Sequence, residues 1–297
     1  MSDKSVKSGV IFAVSAYIMW GIAPLYFKLL TRVPALEILM HRIVWSVLVL
    51  CVLLFVRKKI PQVKKAISDS KVVRTLAISG FLLACNWLIF IWAVNNNQLL
   101  DASLGYFINP LFNVLLARLF LQESLSRLQL LAVFVALLGV ALLVVSYAQI
   151  PWIALLLAIT FSVYGLLRKK VNVDSMPGLL VESSLMLPFA LLYWFIADTS
   201  SGNMLANSNE LNLTLLMAGI VTTAPLLCFT AAAKRIRFTT LGFFQYIGPS
   251  LMFLMAILFF QEPLDMTRVI TFALVWCGLL IYVVDSLRVY RKAKANN

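Results

Sequence analysis

The sequence predicts an all-α integral membrane protein with ten transmembrane helices, and three observations carry that reading. First, 62% of the 297 residues are hydrophobic and 12% are charged, against about 45–50% and about 25% in soluble domains. Second, the apolar residues fall into runs close to the ~20 residues that cross ~30 Å of hydrocarbon. Third, lysines and arginines collect in every other connector, as the positive-inside rule requires of a multi-pass protein.

The spans are read, in order, as 9–30, 36–56, 73–94, 102–121, 126–146, 151–168, 178–197, 211–233, 239–261 and 267–285. The start (Lys4, Lys7, then an apolar run) resembles a signal peptide, but Gly9–Leu30 is too long and no small-residue cleavage site ends it, so it is read as a retained first span. The second span opens with Glu37, His41 and Arg42. The connector 57–74 then carries Arg57, Lys58, Lys59, Lys64, Lys65, Lys71 and Arg74. It is expected to lie on the cytoplasmic surface as a topology determinant, attracted by anionic headgroups. Later basic connectors follow spans four, six and eight (Arg118 and Arg127; Arg168, Lys169 and Lys170; Lys234, Arg235 and Arg237), with Arg288, Arg291, Lys292 and Lys294 in the tail. The opposite connectors, NNNQLLD (95–101), SYAQIP (146–151) and DTSSGNMLANSNE (198–210), contain neither lysine nor arginine; only Lys28, Arg32 and Arg268 fall on that side. Both termini are therefore expected to be cytoplasmic, and the formal net charge of +13 is a topology signal rather than a nucleic-acid footprint. Cys51, Cys85, Cys228 and Cys277 sit inside apolar spans without metal-ligand spacing, and are expected to be small buried hydrophobes, unpaired and metal-free.

The second half repeats the first. Residues 86–145, shifted by 139 positions without a gap, fall on 225–284: Pro110 meets Pro249, Gln122-Glu123 meets Gln261-Glu262, and Leu88, Phe90, Ala93, Leu115, Ala117, Phe120, Leu125 and Gly139 meet their own residue types. The earlier spans match more loosely, Trp20-Gly21 with Tyr164-Gly165 and Lys28 with Lys169. Five spans per copy is an odd number, so the copies, 1–147 and 148–297, must enter the bilayer from opposite faces. Two inverted five-helix repeats are the signature of a secondary transporter.

No arrangement of catalytic groups marks an enzyme. There is one histidine, no nucleophile motif, no paired acids and no P-loop, so ATP hydrolysis is excluded and no cofactor is implied. The informative residues are polar groups at membrane depth, which are costly there and usually face a cavity or a partner. Ser103, Tyr106, Asn109 and Asn113 recur every three or four residues and share one helix face with Pro110. The matching span holds Gln245, Tyr246, Gly248 and Pro249. Proline removes a backbone hydrogen bond, so Pro110 and Pro249 are read as helix bends. Interrupted segments at corresponding places in the two halves point to a binding site; interhelical hydrogen bonding is the competing account. In CNWLIFIWA, Asn86 is expected inside, Trp87 on a cavity wall or facing lipid, and Trp92 in the interfacial aromatic belt. His41 and Arg42 are read as an outer gate or substrate contact and Glu182 as an inner one, against a simpler account in which they snorkel to the interfaces. His41 is the one group titrating near neutrality and so a candidate for proton coupling. Lys28 is expected to snorkel, Glu123 and Glu262 to serve as turn or cap residues, and Gly139 and Gly278 to permit close helix packing.

Taken together, YIMWGIAPLYFKL (17–29), EILMHRIVWS (37–46), NWLIFIWAVNN (86–96), ASLGYFINPL (102–111), YGLLRKK (164–170) and TLGFFQYIGPSLMF (240–253) resemble the EamA-type members of the drug/metabolite transporter superfamily, and among them the RarD-type permeases. The resemblance covers nearly the whole chain. It implies a Gram-negative inner-membrane protein with a central cavity surrounded by spans one to four and six to nine, and with spans five and ten outside. It places Trp20, Asn86, Tyr106, Asn109, Tyr164, Gln245 and Tyr246 at that cavity. The expectation is a gradient-driven permease of a small polar or amphipathic metabolite. Tyr106, Asn109, Asn113, Gln245 and Tyr246 would bind cargo, and Trp20, Trp87 and Tyr164 would wall it. The alternative is a non-transporting receptor or assembly factor on the same fold. Direction, coupling ion and oligomeric state are not written in the sequence.

Overall fold

The computed structural model describes residues 3–95, 99–146, 152–197, 199–258 and 266–295. Side chains at 3, 91, 94–104, 252–253, 255–258, 268 and 289–295 are outside the description. Gln261, Glu262 and most of the loops 95–101 and 146–151 therefore lie beyond it, as does the side chain of Ser103.

The described residues are entirely helical between their turns. The helices are α1 (Asp3–Lys28), α2 (Ala35–Val56), α3 (Ile60–Ser68), α4 (Ser70–Asn95), α5 (Leu99–Leu121), α6 (Arg127–Ser146), α7 (Trp152–Lys170), α8 (Ser175–Ile196), α9 (Asn209–Arg235), α10 (Phe238–Phe244), α11 (Ile247–Leu258) and α12 (Met266–Ala295). Eight of them, α1, α2, α4, α6, α7, α8, α9 and α12, hold stretches long and apolar enough to cross a membrane; Gly105–Leu121 within α5 is a shorter apolar stretch.

Alternate helix ends meet. Lys59, after α2, pairs with Asp174, before α8, at 3.5 Å. Lys169, at the end of α7, donates to the Ala233 and Ile236 carbonyls at 2.8 and 2.6 Å, and Arg237 donates to the Ser124 carbonyl after α5. These contacts define a basic end. At the other, polar end, Tyr26 of α1 donates to the Thr214 carbonyl at the start of α9 at 2.8 Å, and Trp92 meets Trp152 at 5.7 Å.

Two features depart from the expected spans. The basic connector contains a helix of its own, α3, led by Pro61 in its first turn and packed on α4 and α8. Its amphipathic sequence buries Ala66 beside Val72, Leu76 and Val181 and leaves Lys64 and Lys65 exposed. The expected span 239–261 is broken at Gln245-Tyr246, dividing it into α10 and α11. Pro249 supplies the reason. It has no N–H to give the Gln245 carbonyl four residues back, and Gly248 takes that carbonyl in a tighter bond at 3.1 Å. Gln245 and Tyr246 bond three residues back in the same way. At Pro110, by contrast, α5 remains helical throughout.

Glycines set the closest helix crossings. A Cβ on Gly278 of α12 would lie 2.7 Å from the Ala132 carbonyl of α6, and one on Gly139 of α6 would lie 3.1 Å from the Thr271 carbonyl of α12. The small-residue contact expected of these two glycines thus joins α6 to α12. Gly242 brings α10 equally close to Asn113 and Pro110 of α5. Of the cysteines, Cys51 and Cys277 are exposed on the helix flanks rather than buried as expected; all four are free. A thiol is apolar enough to sit on a hydrocarbon-facing flank without a partner.

Candidate functional site

A cavity of ≈ 120 Å³ lies among α1, α2, α4, α5, α7 and α11, in the half of the molecule nearer the polar end. Chain direction places it: Arg42 is seven residues into α2 from Ala35, about 10 Å along the helix axis. Trp20, Arg42, Asn86, Trp87, Tyr106, Asn109, Gln245 and Pro249 line it.

Each polar wall residue has a defined hold. Asn86 of α4 donates to the Leu157 carbonyl and the Thr160 hydroxyl of α7, both at 2.9 Å. Asn109 of α5 donates to the Ala158 carbonyl of α7 at 3.1 Å and accepts from Asn113 at 3.2 Å. Asn113 also donates to Gln245 Oε1 at 2.9 Å, so an amide chain links α5 to the break between α10 and α11. These bonds fix the amide orientations, and the same residues serve both as interhelical ties and as cavity wall. Trp20 meets Phe161 edge-on at 5.5 Å, and Phe90 meets Tyr106 at 5.9 Å.

Arg42 is only 8% exposed. Its Nε donates to Thr222 Oγ1 of α9 at 2.8 Å. Its guanidinium carbon lies 4.2 Å from the Trp87 ring centre and 5.4 Å from that of Phe27. Trp87 therefore faces the cavity and Arg42, which decides between its two expected orientations.

The remaining expected residues lie elsewhere. Asn113 stands behind the wall, holding Gln245. Tyr164 is fully buried, stacked with Phe229 at 6.1 Å, its hydroxyl without a partner. Tyr246 is 1% exposed and packs on Phe243, because the turn at 245–246 sends consecutive side chains in different directions. His41, the neighbour of Arg42, points away from the cavity. It meets Ser201 at 3.3 Å and accepts from Trp45 Nε1 at 3.1 Å. Beside it Glu37, 3% exposed, accepts from the backbone N–H and hydroxyl of both Ser200 and Ser201. Glu37 and His41 thus latch the polar loop after α8 onto α2. Glu182 is completely buried on the basic side, 3.7 Å from Arg168, and takes a hydrogen bond from Ser79. Glu123 is a cap, as expected of its position, but for a distant helix: it accepts from the Phe238 and Thr239 N–H groups at the start of α10 at 2.7 and 3.0 Å.

Phe27, Phe90 and Phe161 also form the wall. Sequence reasoning missed them because an aromatic at helical spacing is equally compatible with core, lipid or cavity. Between the cavity and the basic end packs the largest buried cluster, including Ala13, Tyr17, Tyr164, Phe229, Ile236 and Phe238. Tyr17 crosses it to donate to the Leu241 carbonyl at 3.2 Å.

This is a multi-pass helical membrane protein with an internal aromatic and polar cavity. The chain belongs to the EamA-like transporter family, whose pattern matches residues 7–145 and again 150–284. It is 50% identical over 293 residues to Protein RarD of Salmonella typhi, covering 98% of this chain and 100% of that one. It is 49% identical to a Vibrio cholerae protein described as an uncharacterized transporter, covering 98% of this chain and 97% of the other. A solved crystal structure superposes with a TM-score of 0.73 at 17% identity, over 94% of this chain and 98% of that one, which shows a shared fold. The protein is accordingly a membrane transporter.

Proposed function

We propose that the chain is a secondary transporter of a small polar or amphipathic metabolite, working by alternating access in the bacterial inner membrane with both termini cytoplasmic. Ten spans form two inverted repeats, α1–α6 and α7–α12, with α5 as the fourth span, α10 and α11 together as the ninth, and α3 on the cytoplasmic surface. Helix pairing supports this. Exchanging the halves turns the contact of α1 with α9 into that of α7 with α4, and the contact of α5 with α7 into that of α11 with α1; α6–α12 and α2–α8 map onto themselves. One observation carries the functional reading: a cavity walled by both halves has a large cluster of packed, buried side chains between it and the basic end. A cavity between repeats, blocked from one face, is what one state of an alternating-access cycle requires.

Trp20, Trp87, Tyr106, Asn109 and Gln245 are the cargo contacts in this reading, and Asn113 positions Gln245. Proteoliposomes containing the purified protein, screened against pooled metabolites by mass spectrometry with and without a pH gradient, test it. Protein-dependent accumulation of a compound is expected, and its gradient dependence identifies proton coupling. Gln245→Leu and Asn109→Leu are each expected to abolish that accumulation while the protein still inserts and elutes as a single species. Wild-type transport in both variants would remove the cargo site from this wall.

A further inference from the structure

Arg42 brings a permanent positive charge into the membrane interior, and no acidic side chain among the described residues pairs with it. Lys59 pairs with Asp174, Arg168 with Glu182 and Arg237 with Glu123, so none of these three carboxylates is available to Arg42. Glu37, one turn earlier on the same helix, is committed to Ser200 and Ser201. A buried cation without a counter-ion is costly, and snorkelling does not relieve it here, because the side chain is 8% exposed and turned into the cavity.

The donors of the guanidinium show what the charge faces. Nε is used by Thr222, and the Trp87 and Phe27 rings lie against the group. The two terminal amino groups make no hydrogen bond to a described residue, nor are they among the sealed, unpartnered buried atoms. Arg42 belongs to the cavity wall, and the N–H groups of its planar terminal edge are taken by no described residue. That edge matches the two oxygens of a carboxylate.

We infer that the cavity takes an organic monoanion, its carboxylate paired with the free edge of Arg42 and its apolar or single-ring body held among Trp20, Phe90, Tyr106 and Phe161. The juxtaposition of one unpaired cation with an aromatic wall selects the class. A neutral polar molecule leaves the cation uncompensated, and a dianion brings one charge too many. The cavity, at ≈ 120 Å³, is smaller than the roughly 150 Å³ that holds a benzene ring, so a ring-bearing acid enters only as the aromatic wall side chains shift, and a compact acid fits first. Gln245 Nε2, whose amide oxygen is engaged by Asn113, supplies a second donor. The inference rests on the cavity being the cargo site of the transport reading and names its substrate class.

The test uses purified full-length protein and matched pairs: 4-hydroxybenzoate, phenyllactate and benzoate, each against its carboxamide. Equilibrium binding of the labelled compounds is expected to favour at least one acid over its amide by tenfold or more, roughly the worth of one charge-assisted pair. Arg42→Gln is expected to abolish that preference and Arg42→Lys to retain part of it, the ammonium keeping the charge but losing the fork. The acid–amide comparison on the wild type stands even where a variant misfolds. Equal binding of every acid and its amide, no binding of any acid, or a preference unchanged in a folded Arg42→Gln protein would each overturn the inference. Counterflow of the labelled acid in proteoliposomes separates the two readings. Acid-selective binding without counterflow keeps the anion site and sinks transport of that acid. Counterflow of neutral compounds without acid preference keeps transport and sinks the anion site.

Discussion

Arg168 and Glu182 illustrate how much a single buried pair weighs in this protein. Both side chains are fully buried, 3.7 Å apart, and each retains polar atoms without a partner. Removing one partner leaves the other as an uncompensated charge, which typically costs about 3–5 kcal/mol, whereas replacing both with apolar groups is often neutral. Glu182→Gln and Arg168→Met are therefore each expected to lower the melting temperature in detergent markedly, and Arg168→Met with Glu182→Leu to recover most of the loss. A double variant as unstable as the sum of the singles would show that the two charges do not act as a pair. The sequence exposed all the charges in question but not their partners. Glu37, His41 and Arg42 lie within six positions of one another. Yet Glu37 and His41, four positions apart and on one face, both meet the loop after α8, whereas Arg42, one position on, enters the cavity, because adjacent helical positions face different directions. Spacing along one helix shows which residues share a face; only the neighbouring helices decide what that face meets.

At the scale of the helices, glycine placement makes a sharper prediction than hydropathy does. At Gly278 a Cβ would meet the backbone of α6 at 2.7 Å, while at Gly80 its nearest neighbour, on α8, lies 3.5 Å away, an ordinary contact. Gly80→Ala should leave expression and monodispersity unchanged on size-exclusion chromatography, and gain a few tenths of a kcal/mol up to about 1 from reduced chain freedom. Gly278→Val should force α6 and α12 apart and cost about 1–3 kcal/mol or more, seen as aggregation or a lowered melting temperature. Most elements were legible because a long apolar run has few structural solutions in a bilayer. Two were not. The short helix α3 lies in a connector whose charges dominate its composition, so its small apolar face is overlooked. The break at 245–246 depends on backbone hydrogen bonds that composition does not record, and the same proline signal at Pro110 leaves α5 unbroken. Proline marks where a helix is weakened, and the surrounding packing determines whether it opens.

On the scale of the whole molecule, α7 and α9 are tied together at the basic end by lysines donating to carbonyls at helix C-termini, where the helix dipole favours a cation: Lys169 to Ala233 and Ile236, and Lys234 to Val171 and Val173. Lys169→Met should loosen this end. A cysteine placed at Ala233, in a background lacking the native cysteines, is expected to react several-fold faster with a membrane-impermeant thiol reagent when Lys169 is replaced; an unchanged rate would locate the barrier in the apolar cluster alone. The Glu37 latch has a further consequence, in the order of synthesis. Its partners Ser200 and Ser201 lie more than 160 residues downstream, and at ~5–20 residues per second the ribosome needs on the order of ten to thirty seconds to reach them. For that interval α2 waits in the nascent chain with an unpaired carboxylate at its first turn. Water or a lipid headgroup must solvate that carboxylate until the later loop arrives, so α2 reaches its final polar contacts only once synthesis is well into the second half.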